Sequence, residues 1–158
     1  MEWLDEEQQR TWLAYIKVQL RLVYEMNRQL QSGSGMSLAD WDVLTALGAS
    51  ESSSLTVTAL AAQIGWERSR LSHHGKRMAS RGLVELVTAD SDRRATEVRL
   101  TAAGRAALDR AAPGHVGLVK RLFFDGIPGE LLDPLSTALE SVYANLLAQG
   151  SLPPPDNL

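Results

Sequence analysis

The chain has no cysteine among its 158 residues. Disulfides, thiolate metal sites and cysteine nucleophiles are therefore excluded together, so stability must come from packing and the natural setting is a reducing cytoplasm. A signal-like N-terminal segment is missing too, as is any apolar run near the roughly 18 residues of a membrane span. The expectation is a soluble, cytoplasmic protein with no membrane partner. No Gly-rich phosphate loop and no nucleophile elbow occurs, and Ser and Asp are plentiful but unpatterned. That weighs against an enzyme and leaves no cofactor to expect. Positive charge is not in excess either. A formal charge of −3 and a pI of about 5.6 argue against a uniformly basic binder of nucleic acid, because duplex affinity rests heavily on phosphate neutralisation.

What positive charge there is stands together. Arg68, Arg70, Lys76, Arg77 and Arg81 follow one another with no Asp or Glu between them, whereas the first ten residues hold Glu2, Asp5, Glu6 and Glu7 against Arg10 alone. One face of one helix is thus positive on an otherwise acidic chain, whose length suits one compact domain or a small domain with an added dimerisation layer.

Residues 5–31 contain no Gly or Pro and carry two apolar series at spacings of three and four. One is Leu13, Ile16, Leu20, Val23 and Leu30, interrupted by Asn27; the other is Trp12, Tyr15, Gln19, Leu22 and Met26. Two adjacent stripes imply burial on two sides, which a monomer of this size hardly supplies, so a dimer contact is expected. Ser37 can cap a second helix through Trp41, Val43, Leu44 and Leu47 that stops near Gly48, and residues 49–54 read as a polar loop. Thr56 or Thr58 can cap a short helix through Leu60 and Ile64. Gly65 suits the tight turn before a helix over 68–81, and Gly82 suits its left-handed stop.

Two β-prone runs, 83–87 and 96–100, are joined by TADSDRRA and form a wing. Thr101 caps an Ala-rich helix through Leu108, Val116, Val119 and Leu122, with a kink or break expected at Pro113-Gly114. Pro128 begins a last helix with Leu132, Leu135, Leu139, Val142 and Leu146 in step, and Pro153, Pro154 and Pro155 mark a loose tail. The predicted fold is mainly α with a small β-hairpin wing. Its parts are a winged helix-turn-helix over 37–100, a helical dimerisation layer from 1–36 and 101–150, and a flexible tail over 151–158.

That layout places one helix in the DNA major groove and a loop on the neighbouring minor groove. Along the reading helix, Leu71, Gly75 and Met78 form the inward series. Ser69, Arg70, His73, His74 and Arg77 are expected on or near the outward side, and Arg68, Ser72, Lys76 and Arg77 are expected to hold phosphates. Arg70 can take guanine O6 and N7 together, worth about 1–3 kcal/mol of discrimination. Taken singly, the basic face reads as a solvated helix surface and the wing loop as an ordinary polar hairpin; their succession makes double-stranded DNA the expected partner.

The helix pair ALAAQIGWERSRLS, the RGLV junction over 81–84, the DSDRRA tip over 90–95 and the LTAAG start over 100–104 occur in one order and spacing. In these pieces the chain resembles the MarR family of winged-helix transcriptional regulators over nearly its whole length. The resemblance implies an obligate homodimer of triangular shape with two reading heads, a pseudo-palindromic operator, and usually repression relieved by a small ligand or, in some members, by oxidation or metal. Cysteine-based oxidation sensing is closed to this chain. Ser69, Arg70, His73 and His74 match the positions that reach base edges in the family, and Asp92, Arg93 and Arg94 match its acidic-basic wing tip. Arg94 is the candidate for a narrow minor groove, and Asp92 for orienting one of the two arginines. Gly75 departs from the pattern, standing where the family has a branched apolar residue. Either a neighbour such as Trp66 fills the gap or the helix is locally soft.

The resemblance also implies an effector between the dimerisation helices and the reading head. Trp12, Tyr15 and Trp41, with Tyr24 nearby and Gln19 and Arg21 as polar partners, would suit an aromatic or apolar molecule, anionic if Arg21 points inward. The other reading is that these are core and interface side chains with no cavity. A zinc-responsive regulator of the same fold could draw on His73, His74 and His115 with a carboxylate. Adjacent helical histidines diverge by about 100°, however, so His73 and His74 do not chelate one ion together. A ligand-independent architectural DNA-binding protein is the remaining alternative.

Overall fold

A computed structural model describes residues 3–89 and 93–156. Helix α1 (Glu6–Ser34) runs without interruption because nothing before Gly33 breaks it. Asp5 starts it with a reciprocal box: its carboxylate accepts from Gln8 N at 2.8 Å while the Gln8 side chain accepts from Asp5 N at 3.2 Å, satisfying two otherwise orphan amides. Helix α2 (Leu38–Ala49) repeats the device with Ser37 and Asp40. Its first amide, Leu38 N, donates to Asn27 Oδ1 at 2.9 Å. Asn27, the break in one apolar stripe, is therefore the polar hinge pin between α1 and α2.

Strand β1 (Ser54–Thr56) lies where the sequence reads as loop and cap. The wing is consequently not a two-stranded hairpin alone but a three-stranded antiparallel sheet in the order β1, β3, β2, where β2 is Val84–Thr88 and β3 is Thr96–Leu100. Leu55 faces Val98 across one pair and Leu86 faces Val98 across the other. Three residues are too few to show an alternation, and Thr56 serves twice, ending the strand and capping α3 (Val57–Gln63) through Ala59 N at 3.1 Å. Thr56 rather than Thr58 is thus the cap.

Helix α4 (Arg68–Ser80) ends at Gly82, whose φ of 73° is the left-handed conformation that lets Gly82 N and Leu83 N reach back to Ala79 O and Met78 O. Helix α5 (Ala102–Val119) begins at Thr101, which accepts from Gly104 N at 2.9 Å and donates to Gly82 O and Leu83 O. A Cβ at Gly104 would run into the Leu83 carbonyl oxygen. RGLV and LTAAG are therefore the two halves of one joint. The expected break at Pro113 does not occur: α5 continues through it. Pro113 is exposed, so the carbonyl that loses its amide partner there can turn to water. The chain distorts later, in a π-helical turn over Lys120–Phe124, before a 3₁₀ turn at Gly129–Leu131 and helix α6 (Leu132–Gln149).

The core gathers Val43, Leu44 and Leu47 from α2, Leu60 from α3, Leu71 and Met78 from α4, Val84 and Val98 from the sheet, and Leu108 from α5. Helix α1 contributes only Leu30, and α6 buries no residue at all. Among the described residues no helix is long and apolar enough to cross a membrane.

Candidate nucleic-acid interface

Helix α4 meets the core along Leu71, Gly75 and Met78, all buried. Leu86 of β2 places a methyl 3.6 Å from where a Cβ of Gly75 would stand, so the space is closed by the wing strand. Trp66 has another position: its ring meets His74 edge-on at 5.5 Å between centroids and carries the Arg70 guanidinium 4.0 Å from its own centroid. That cation–π contact lies at the start of α4 and gives Arg70 a direction before any ligand is present.

Arg68, Ser69, Arg70, His73, Lys76 and Arg77 are exposed on α4, and Ser72 is half-buried. His74 is not with them. It is only 7% exposed, with Nε2 2.9 Å from Asp40 Oδ1 and Nδ1 2.8 Å from Arg77 Nη2. Its expected place on the outward face is corrected by its spacing, three residues after Leu71 and four before Met78, which puts it on the inward series. Asp40, which sequence reasoning missed as a functional residue, is the hub of this contact. Its Oδ2 accepts from Arg81 Nη1 at 2.8 Å and from Ser37 N at 3.0 Å. Burial pushes the Asp40 carboxyl up, but His74, Arg81 and Ser37 outweigh it and hold the group well below the usual carboxylate range. The Ser37-x-x-Asp40 box was visible in the sequence; that the same carboxylate would reach 41 residues on to Arg81 was not. Burial also raises the carboxyl of neighbouring Asp42, against the pull of Arg70 and His74.

Two grooves flank α4. The wing-side groove, of about 510 Å³, brings Arg68, Ser72 and Lys76 together with Arg94 of the wing and Thr56 and Thr58 at the start of α3. The other, of about 720 Å³, lies toward α2 and is walled by Asp40, Trp66, Arg70, His74, Arg77 and Arg81. Arg93 is exposed beside Arg94; Asp92, the expected orienting acid, lies outside the described residues.

The five expected effector residues are not assembled by one chain. Trp12 and Tyr15 stand together on α1, ring centroids 5.5 Å apart, and both are exposed, as are Gln19 and Arg21. Trp41 lies on α2 against His115 of α5 at 4.3 Å. From Tyr15 to Asn27, where α1 touches α2, the helix rises about 18 Å, and neither groove beside α4 includes any of the five. Burial pushes the His115 imidazole down. Among the described residues no three His, Cys, Asp or Glu side chains gather as metal ligands.

The sequence model of the MarR family matches residues 34–95, from the end of α1 into the wing. Solved structures extend the likeness to both ends. Sco3205 of Streptomyces coelicolor, a MarR family transcriptional regulator in complex with DNA, is 34% identical with a TM-score of 0.90, over 96% of this chain and 99% of that one. AbsC of the same organism, also a MarR family transcriptional regulator, is 32% identical with a TM-score of 0.88, over 94% and 100%. The chain belongs to the MarR family. It is accordingly a DNA-binding transcriptional regulator, and α4 with its wing is the winged-helix head of a MarR protein. A more distant MarR-like fold, CouR of Rhodococcus jostii bound to p-coumaroyl-CoA, shares 23% identity with a TM-score of 0.69, over 80% of this chain and 86% of that one. No curated protein sequence matches the chain.

Proposed function

We propose that this MarR protein is a homodimeric repressor that reads a pseudo-palindromic operator with α4 of each head in successive major grooves, about one helical turn apart. The observation that carries this reading is the wing-side groove, where Arg68, Ser72 and Lys76 of the helix converge with Arg94 of the wing on an otherwise acidic chain. In this reading Arg68, Ser72, Lys76 and Arg77 hold phosphates, Ser69, Arg70 and His73 face base edges, and Arg93 and Arg94 follow the minor groove. Residues 37–100 are the reading head.

Residues 1–36 and 101–150 are the dimerisation layer. Support comes from what the single chain leaves uncovered: Leu20 is 67% exposed on α1, and Leu146 and Val142 are 61% and 58% exposed on α6. Exposed apolar side chains grouped along a helix mark association surfaces. The effector is a small aromatic or apolar molecule bound between this layer and the head. Trp12, Tyr15, Gln19 and Arg21 approach Trp41 only when a second chain closes the space, which makes release of DNA a property of the dimer.

Selection of bound genomic duplexes, followed by footprinting at a stated salt concentration, tests the reading. Two protected half-sites one turn apart are expected; long, sequence-indifferent protection would withdraw specific regulation. Ultracentrifugation should show a dimer at low micromolar concentration, and a monomer of intact helicity would overturn the assignment of α1 and α6.

A further inference from the structure

The buried cluster behind the reading helix has a feature that DNA binding alone does not require. Arg77 Nη2 lies 2.8 Å from His74 Nδ1. A guanidinium has only donors, so Nδ1 must be the unprotonated, accepting nitrogen, and the ring proton must sit on Nε2. Nε2 in turn stands 2.9 Å from Asp40 Oδ1, close but off the line of a good hydrogen bond, so the carboxylate lies against the N–H edge of a neutral ring. His74 therefore stands between an anion on α2 and a cation on its own helix. The charged groups that face it are Asp40 and Asp42 from α2 and Arg70 and Arg77 from α4, with Arg81 behind Asp40. Gln31 of α1 and Trp66 of the α3–α4 turn complete the surroundings without charge.

We infer that His74 is a positioning residue whose protonation decides whether Arg77 is held inside the head or offered to DNA. The inference rests on the reading of α4 as the DNA-contacting helix. A proton added at Nδ1 sets an N–H against a guanidinium N–H, two donors of like charge face to face, and Arg77 must leave. Nothing else binds its tip: Arg77 is otherwise exposed and has no other hydrogen bond or ion pair from its side chain among the described residues. Asp40, already 2.9 Å away, neutralises the imidazolium that remains. Seen from the DNA side, a phosphate that draws Arg77 away vacates Nδ1, and the head takes up one proton from solvent. By linkage, the proton and the duplex each strengthen the binding of the other.

The test uses the full-length protein carrying His73→Gln, which removes the other imidazole of α4, and a duplex selected with that same protein, because His73 is read as facing base edges. Affinity is followed by fluorescence anisotropy between about pH 5 and 8, the span in which imidazoles titrate. In this parent, binding should tighten as pH falls, by up to about tenfold per pH unit at the steepest for each proton taken up, and so by up to about a hundredfold for a dimer with two heads. His74→Gln keeps an amide donor at the Nε2 position toward Asp40 but places no acceptor at the Nδ1 position that Arg77 meets. It should bind at pH 8 as tightly as the parent does near pH 5, without a slope. His74→Asn keeps an acceptor near the Nδ1 position and does not titrate, so it should bind weakly at every pH, also without a slope. A purely structural histidine would weaken in both variants alike, and a slope that survives both would place the proton elsewhere; either result overturns the inference. Thermal melts separate loss of fold from loss of affinity. Nitrogen-15 spectra of the free protein at pH 8 provide a reading that needs neither variants nor DNA. An unprotonated Nδ1 at His74 is expected, and an Nδ1–H tautomer overturns the inference even if no duplex is selected and the regulator reading itself fails.

Discussion

The two flanks of α4 carry similar side chains in different circumstances. On the wing side, Arg68, Ser72 and Lys76 have no side-chain hydrogen bond or ion pair among the described residues. On the α2 side, Arg70 lies over Trp66, Arg77 is held by His74, and Arg81 is bound to a buried carboxylate. One row of basic residues, read from the sequence as a single positive face, therefore splits into cations available to a partner and cations already engaged in holding the helix. A wing-side substitution should cost affinity and spare the fold, and on the α2 side a substitution at Asp40 or Arg81, which face no DNA in this reading, should do the reverse.

Asp40→Ala should produce the largest effect. It leaves His74 buried without its anion and Arg81 without its partner, and removal of one member of a buried charged cluster costs about 3–5 kcal/mol. Arg81 is 46% exposed on its side chain, which lowers the expectation to about 2–4 kcal/mol of global stability. The sign of the pH dependence follows from the depressed carboxyl. Its stabilisation is present above the ordinary carboxylate range and is lost as pH falls through the folded value. Asp40→Asn should accordingly flatten the acid limb of unfolding measured by denaturant titration. If Asp40→Ala melts like the parent, the α2 flank is not structural and the contrast between flanks disappears.

The paired variant Arg68→Ala with Lys76→Ala probes the other flank. Two lost phosphate contacts per head, four per bound dimer, should make the dependence of log affinity on log salt shallower by about four and weaken specific and random duplexes alike. The melting temperature should stay where it was. Unequal losses would assign base reading, not phosphate holding, to this side. Arg70→Ala then separates reading from orienting. Its loss should weaken the selected duplex by about 1–3 kcal/mol per head more than a random one. An equal loss on both duplexes would mean that the stack on Trp66 holds Arg70 against a phosphate.

Where the sequence was legible, one property of a segment was enough. Absence of breakers marked α1, Gly82 marked the stop of α4, and the two stripes of α1 announced a helix that one chain does not cover. Where it was not, the deciding partner lay far along the chain or a residue served two elements. His74 reads as a base-edge residue from its match to the family's positions, although its spacing from Leu71 and Met78 already places it inward. Asp40 looked like an ordinary cap residue, since nothing local shows that its second oxygen will meet Arg81. Strand β1 was hidden because its three residues end in the threonine that caps α3. The aromatic character of Trp12, Tyr15 and Trp41 does not say that Tyr15 stands about 18 Å along α1 from where that helix meets α2, which carries Trp41.

The smallest expected effect concerns the side of α4 that faces neither groove. Gly75 costs about 1 kcal/mol of helix propensity relative to alanine. If Gly75 is required by crowding, alanine must destabilise; if it is merely tolerated, alanine must help. Leu86 stands 3.6 Å from the position of the added methyl, an ordinary contact distance that asks nothing to move. Gly75→Ala is therefore expected to stabilise by about 0.5–1 kcal/mol, raising the melting temperature by about 1–4 °C for a chain of this size, and to slow amide exchange in the middle of α4. Affinity for DNA should not change, because the methyl points at β2. A fall in stability would show that the wing strand needs the bare backbone at Gly75, and the close seat of β2 on α4 would then join the α2 flank as a second restraint on how the reading helix is held.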